Sequence, residues 1–218
     1  MSSAVAIFGG TFDPPHFGHL RAASEAAEKL AVEDFRLVPA GRPPHRQGSW
    51  ASPEDRLEML RAAVRPWSDL QVDDREIHRP GPSYMVDTLD SIRREVGESP
   101  ILLALGQDAA NQLHRWHEWH RLIDLAHLVI MTRPHSRPRY SGALADLVAQ
   151  RRTRSKAALF KQPAGLVCRI EVTRLAISST DIRRQIANGG NPRFLLPQSV
   201  VGYIRERGLY EERPGQDE

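Results

Sequence analysis

Two histidines three residues apart, His16 and His19, follow a short apolar run and a glycine pair. They belong to the segment Gly9-Gly10-Thr11-Phe12-Asp13-Pro14-Pro15-His16-Phe17-Gly18-His19-Leu20. At that spacing on a helix the two imidazoles share a face, and both can donate to the same phosphate. The backbone N–H groups of a helix start favour an anion as well. Glycines remove Cβ atoms where backbone must approach a ligand or take positive φ. Pro14 and Pro15 stiffen the turn and push Asp13 out of helical geometry. The chemistry on offer is phosphate binding. No Gly-Lys-Ser/Thr follows, so this is not a Walker loop, and it is not the dinucleotide fingerprint either.

A second segment, Ile177-Ser178-Ser179-Thr180-Asp181-Ile182-Arg183, sets three hydroxyl positions at a helix start with a cation in its first turn. Taken alone, such a run is an ordinary N-cap. Three further stretches carry recognition chemistry. Pro43-Pro44-His45-Arg46 places two cations beside a rigid turn, and Ser83-Tyr84-Met85-Val86-Asp87-Thr88-Leu89 opens an amphipathic helix. Gly106-Gln107-Asp108 is followed by Trp116-His117-Glu118-Trp119. A tryptophan beside a cleft offers a flat face to an aromatic ring. His114, His117 and His120 recur every three residues, but no cysteine or acid cluster at ligand spacing accompanies them, so no protein-built metal site is expected.

These residues must be held by regular elements, and the apolar pattern supplies them. Ala4–Phe8, Phe35–Val38, Pro100–Leu105, Leu128–Met131 and Leu166–Val172 read as strands. Helices are predicted from Leu20 to Leu30, from Ser52-Pro53 through Val64, and from Ser83 to Gly97. Two more run from Ser179 to Ala187 and from Pro197 to Gly208. Strands alternating with helices predict an α/β fold, a doubly wound and mainly parallel Rossmann-like sheet with helices on both faces. In such a sheet ligands sit at the carboxyl ends of the strands, where the order reverses. One domain over 1–210 and a mobile charged tail over 211–218 are expected.

Composition narrows the classes. The chain has 218 residues, 40% hydrophobic and 26% charged, which excludes disordered and fibrous classes. The single cysteine, Cys168, cannot form an intrachain disulfide. No apolar stretch approaches the roughly 18 residues of a membrane span, and a cytoplasmic protein is expected. The net charge is only +3, yet residues 133–161 hold eight basic side chains and one acid. That segment is +7 and the rest of the chain −4. Clusters of this kind attract phosphates of any origin.

The first segment resembles the signature of the nucleotidyltransferase superfamily with the H-x-G-H motif, shared with class I aminoacyl-tRNA synthetases. The second resembles that superfamily's I-S-S-T-x-I-R segment. Lying about 160 residues apart, the two extend the resemblance over nearly the whole chain. It implies that His16, His19 and Arg183 act on the phosphates of ATP. It also implies ATP contacts from Gly9, Gly10, Thr11, Phe12, Gly106, Asp108, Arg133, Ile177, Ser178, Ser179 and Thr180.

The other stretches resemble bacterial nicotinate-mononucleotide adenylyltransferases. That similarity implies mononucleotide contacts from His45, Arg46, Tyr84, Met85, Thr88, Trp116 and His117, with Trp116 stacked on the pyridine. Arg46 stands where lysine is commoner, and Met85 where threonine is usual. The implied reaction moves AMP from ATP to nicotinate mononucleotide, giving deamido-NAD and pyrophosphate, with Mg²⁺ carried mainly on the ATP phosphates. A preference for nicotinamide mononucleotide or another phosphorylated acceptor is the nearer alternative. A non-enzymatic nucleic-acid binder using the +7 segment is the alternative of a different class. The favoured reading involves no nucleic acid and no membrane, and leaves monomer or homo-oligomer open.

Overall fold

The apolar runs form strands of one sheet, and the amphipathic stretches form the helices that cover it. The computed structural model describes residues 4–44, 50–132, 138–173 and 175–211. In chain order the elements begin with β1 Val5–Gly10, α1 Phe17–Leu30, β2 Asp34–Pro39, α2 Pro53–Val64, β3 Gln71–Val72 and α3 Arg75–His78. The middle of the chain holds α4 Met85–Val96, β4 Ile101–Gly106, α5 Gln107–Asn111, α6 Leu122–Leu125 and β5 His127–Thr132. Then come α7 Gly142–Arg151, β6 Arg152–Thr153, β7 Val167–Glu171, α8 Ser179–Ala187 and α9 Gln198–Arg207.

The seven strands lie in the order β3-β2-β1-β4-β5-β7-β6. Every pairing is parallel. The chain leaves β1 towards β2 on one side and returns to β4 on the other, so the order reverses between β1 and β4. Val5 faces both Asp34 and Ile101 across the ladders. The carboxyl ends of β1 and β4 therefore splay apart into a crevice, the general ligand position in open α/β sheets.

Side chains alternate between the two faces of each strand. Ala6, Phe35, Leu37, Leu102, Ala104, Val129 and Met131 pack with α1, α2, α8 and α9. Val5, Ile7, Leu103, Leu105, Leu128 and Ile130 pack on the other face with α4 and α6. Burial on both faces explains why the strands read as continuous apolar runs.

The start of α4 and the strands β3 and β6 differ from the sequence reading for identifiable reasons. The helix expected from Ser83 begins at Met85, because the Ser83 hydroxyl accepts from Gly41 N (2.9 Å) and Arg42 N (3.0 Å) instead of capping its own helix. The short β3 and β6 are two residues each and leave no periodic signal. Ser52 caps α2 as expected, accepting from Asp55 N. Of the expected tail, residues 212–218 lie outside the described ones.

One buried acid fastens α1 to the strand that leads into α8. Glu25 is 4% exposed and accepts from Arg21 Nε at 2.6 Å and from Thr173 N at 3.0 Å. Burial alone would raise its pKa, but the hydrogen bonds from Thr173 and the adjacent Arg21 cation hold it down at about 2. A depressed carboxylate stabilises the fold above its ordinary value near 4.5 and loses that contribution as pH falls towards 2. Thermal melts should therefore show wild type more stable than Glu25→Gln above pH 4.5, with the gap closing between pH 4.5 and 2. A gap independent of pH would remove Glu25 from this role.

Candidate active site

At the end of β1 the backbone turns sharply. Phe12 takes φ +51°, an uncommon conformation for a residue with a side chain, and is 1% exposed. Its ring packs edge-on against Phe8 at 5.9 Å and against His19 at 5.1 Å between centroids. His16, the residue before α1, folds its ring over His19, with centroids 3.7 Å apart. A Cβ on Gly18 would lie 2.9 Å from the His16 ring, so the spacing His-x-Gly-His is a packing requirement as well as a chemical one. The two imidazoles form one stacked pair braced by a buried phenylalanine.

The helix start contributes fewer amides than expected. Phe17 N donates to Leu195 O, and His19 N and Leu20 N fold back to His16 O. Donation to a ligand in this turn thus shifts from backbone to imidazole. The distant serine-rich segment docks on the same loop. Ser179 Oγ donates to Pro14 O at 2.9 Å, and Arg183 Nη1 donates to Asp13 O at 2.6 Å. Ser178 caps α8 by accepting from Asp181 N, while its own hydroxyl donates to Asp181 Oδ2. Thr180 is exposed at the helix start, and Ile177 packs against the core beneath it. Two motifs from opposite ends of the chain are thereby stitched into one surface.

Two charges that the sequence reading passed over hold this surface. Asp13, 1% exposed, accepts at its carboxylate from Trp50 N (2.9 Å), Ala51 N (3.3 Å) and the Tyr210 hydroxyl (2.7 Å). Burial and the adjacent Asp13 carboxylate push the Tyr210 hydroxyl up, keeping it protonated as a donor. Arg56, 0% exposed, donates to the carbonyls of Thr11, Ala40 and Gly41, tying the loops after β1 and β2 together. No sequence signal distinguishes Arg56 from a solvated helix arginine. Asp13 is visible in its motif, but nothing there announces its three partners.

The second half of the site lies along α4 and the turn after α5. Tyr84 stacks on His117 with ring centroids 4.2 Å apart, and Trp116 lies half-buried beside them against the core. Met85 spans the two halves: a Cβ on Gly9 would meet its Cε at 2.6 Å. A side chain on Gly9 would displace the Met85 methyl. Gly106 ends β4 and Asp108 is exposed in the first turn of α5. Between them Gln107 is buried, donating to Asn111 Oδ1 and Tyr140 Oη.

Thr88 departs from the expectation of a direct ligand contact. It is fully buried, its hydroxyl donating to Glu76 at 2.6 Å and accepting from Arg79 at 3.0 Å. Burial raises the Glu76 pKa, partly offset by the Thr88 hydrogen bond and the Arg79 cation. Thr88 thus supports the start of α4 from beneath. His45, Arg46 and Arg133 lie outside the described residues. A cavity of about 530 Å³ opens between Pro43-Pro44 and Ala51-Ser52.

Comparison with known proteins places the chain in a family and matches its fold. The cytidylyltransferase-like family model matches residues 7–185. A Methylococcus capsulatus protein is 44% identical over 94% of this chain and 99% of its own length. A Marinobacter nauticus protein is 46% identical over 95% and 97%. Both carry the name probable nicotinate-nucleotide adenylyltransferase. The fold is similar to that of Plasmodium falciparum nicotinic acid mononucleotide adenylyltransferase complexed with NaAD, at TM-score 0.72 and 16% identity, covering 95% and 97% of the two chains.

Two substitutions test the roles assigned above. His19→Ala should lower kcat ~10²–10³-fold if the imidazole is one preorganised donor to developing charge. Unchanged kcat would remove it from the reaction. Arg56→Met should cost about 3 kcal/mol in denaturant unfolding, because buried carbonyls lose a charged donor. A loss within experimental error would show that these carbonyls are satisfied without it.

Proposed function

This chain belongs to the nicotinate-nucleotide adenylyltransferase family of cytidylyltransferase-like enzymes, and we propose that it transfers AMP from ATP to nicotinate mononucleotide, releasing pyrophosphate. The observation that carries the reading is the docking of the α8 start on the Asp13-Pro14 loop, beside the His16–His19 pair. That arrangement brings two imidazoles, a guanidinium and the Thr180 hydroxyl to one surface at the sheet's switch point.

The acceptor phosphate is already ionised at neutral pH, so it attacks the α-phosphorus of ATP without a general base. Catalysis then consists of holding the two phosphates in line and balancing charge on the departing pyrophosphate. His16, His19 and Arg183 would take the ATP phosphates, with Gly9, Gly10, Thr11 and Phe12 supplying close backbone. Ile177, Ser178, Ser179 and Thr180 would line the same anion surface from α8. Gly106 and Asp108, at the end of the adjacent strand β4, would face the nucleoside, as Arg133 would from the end of β5. Tyr84, Met85, Trp116 and His117 would hold the pyridine and ribose, and His45 and Arg46 the mononucleotide phosphate. Among the described residues no three His, Cys, Asp or Glu side chains gather to hold a cation. In this reading magnesium enters on the ATP phosphates, as part of the substrate.

Among the described residues no helix is long and apolar enough to cross a membrane. In this reading the enzyme acts in the cytoplasm. Pyrophosphate release should be fast with ATP plus nicotinate mononucleotide and slower with the amide. No release with either would sink the reading. Faster release with nicotinamide mononucleotide would reverse the assigned acceptor.

A further inference from the structure

Trp50 is 67% exposed, an unusual position for an indole, and it bridges the loop before α2 and the start of α8. Its ring covers the Arg183 guanidinium, with Cζ 5.6 Å from the ring centroid. Its backbone is pinned from behind, since Trp50 N donates to the buried Asp13 carboxylate. Arg183 itself is held at one corner. Nη1 donates to Asp13 O at 2.6 Å, and the contact of Nη2 with Thr180 Oγ1 is long, at 3.5 Å. The buried Nε has no partner among the described residues. One short hydrogen bond fixes the position of a guanidinium but leaves its plane free to turn.

We propose that Trp50 is the positioning residue that fixes that plane, so that the exposed Nη2 end of Arg183 stands ready for a phosphate. Attraction of a cation to an aromatic face falls off as the plane tilts and as water intervenes, so an indole laid on one side supplies what the single hydrogen bond lacks. The same ring excludes water from that side of the guanidinium, which strengthens its field at the opposite, ligand-facing edge. Asp13 makes the coupling rigid: its carboxylate holds the Trp50 backbone while its carbonyl holds Arg183. The inference rests on the adenylyl-transfer reading for its kinetic expression but not for its geometry.

The test is a double-mutant cycle of Trp50→Leu and Arg183→Ala, with Trp50→Phe as the rescue. Leucine keeps apolar bulk without a π face. Trp50→Leu should lower kcat for pyrophosphate release about 3- to 30-fold, with the KM for nicotinate mononucleotide within about twofold. Trp50→Phe should recover most of the loss. Once Arg183 is alanine, Trp50→Leu should cause no further loss. Equal losses in the two backgrounds, or no recovery with phenylalanine, would overturn the proposal and leave Trp50 a structural residue. If wild type releases no pyrophosphate, the functional reading fails on its own. The coupling is then read from the Kd of magnesium-ATP by calorimetry across the same proteins, where additive effects would equally overturn it.

Discussion

The loop after β1 depends on two buried charges that are satisfied by dipoles. A carboxylate or guanidinium removed from water costs several kcal/mol unless hydrogen bonds replace its hydration. Asp13 obtains three donors from two distant segments, and Arg56 obtains three carbonyls from the loops after β1 and β2. Each partner is therefore obliged to stay where it is. The same requirement fixes Trp50 and Ala51 ahead of α2, brings Tyr210 beyond α9 back to the sheet, and fits Thr11 into a turn where Phe12 has positive φ. A surface that stabilises developing charge needs such rigidity, because donors that reorganise during reaction contribute little to it.

The division of labour between motif and scaffold follows. The two stacked histidines, Gly18 and the α8 start are local features whose geometry is set by neighbours a few residues away. They were legible because a short spacing carries the constraint: His-x-Gly-His needs a glycine where the His16 ring folds back. The strands were legible for a similar reason, since burial on both faces makes each an unbroken apolar run. The α8 boundary at Ser179–Ala187 and the capping of α2 by Ser52 needed only cap chemistry.

What was hidden is long-range. Arg56 sits one residue from the apolar stripe of α2 and reads as its solvated flank, yet it is among the largest fully buried side chains. Its burial depends on carbonyls supplied by residues 11, 40 and 41. Ser83 read as a helix start and serves instead as the acceptor for two amides after β2. Thr88 read as a ligand contact and is the partner of the buried Glu76. In each case a polar residue found a partner from another part of the chain, and local pattern has no access to that choice. β3 and β6 escaped notice because two residues establish no period.

The +7 segment shows how charge should be weighed once distances are known. Of its described cations, Arg151, Arg152, Arg154, Lys156 and Lys161 lie at the end of α7, on β6 and in the segment that follows, and β6 pairs with the first two residues of β7; Arg139 lies before α7, its N–H donating to Asn111 Oδ1. β6 is the sheet edge farthest from β2 and β3, at the amino end of the strands, whereas the His16–His19 pair follows the carboxyl end of β1. β6 lies four strands from β1, roughly 19 Å at about 4.8 Å per spacing. Screening at physiological salt has a length of about 8 Å, so exposed charges at that edge act weakly on the site. His16, His19 and Arg183 carry far less formal charge but lie partly or fully buried and close together around the loop after β1.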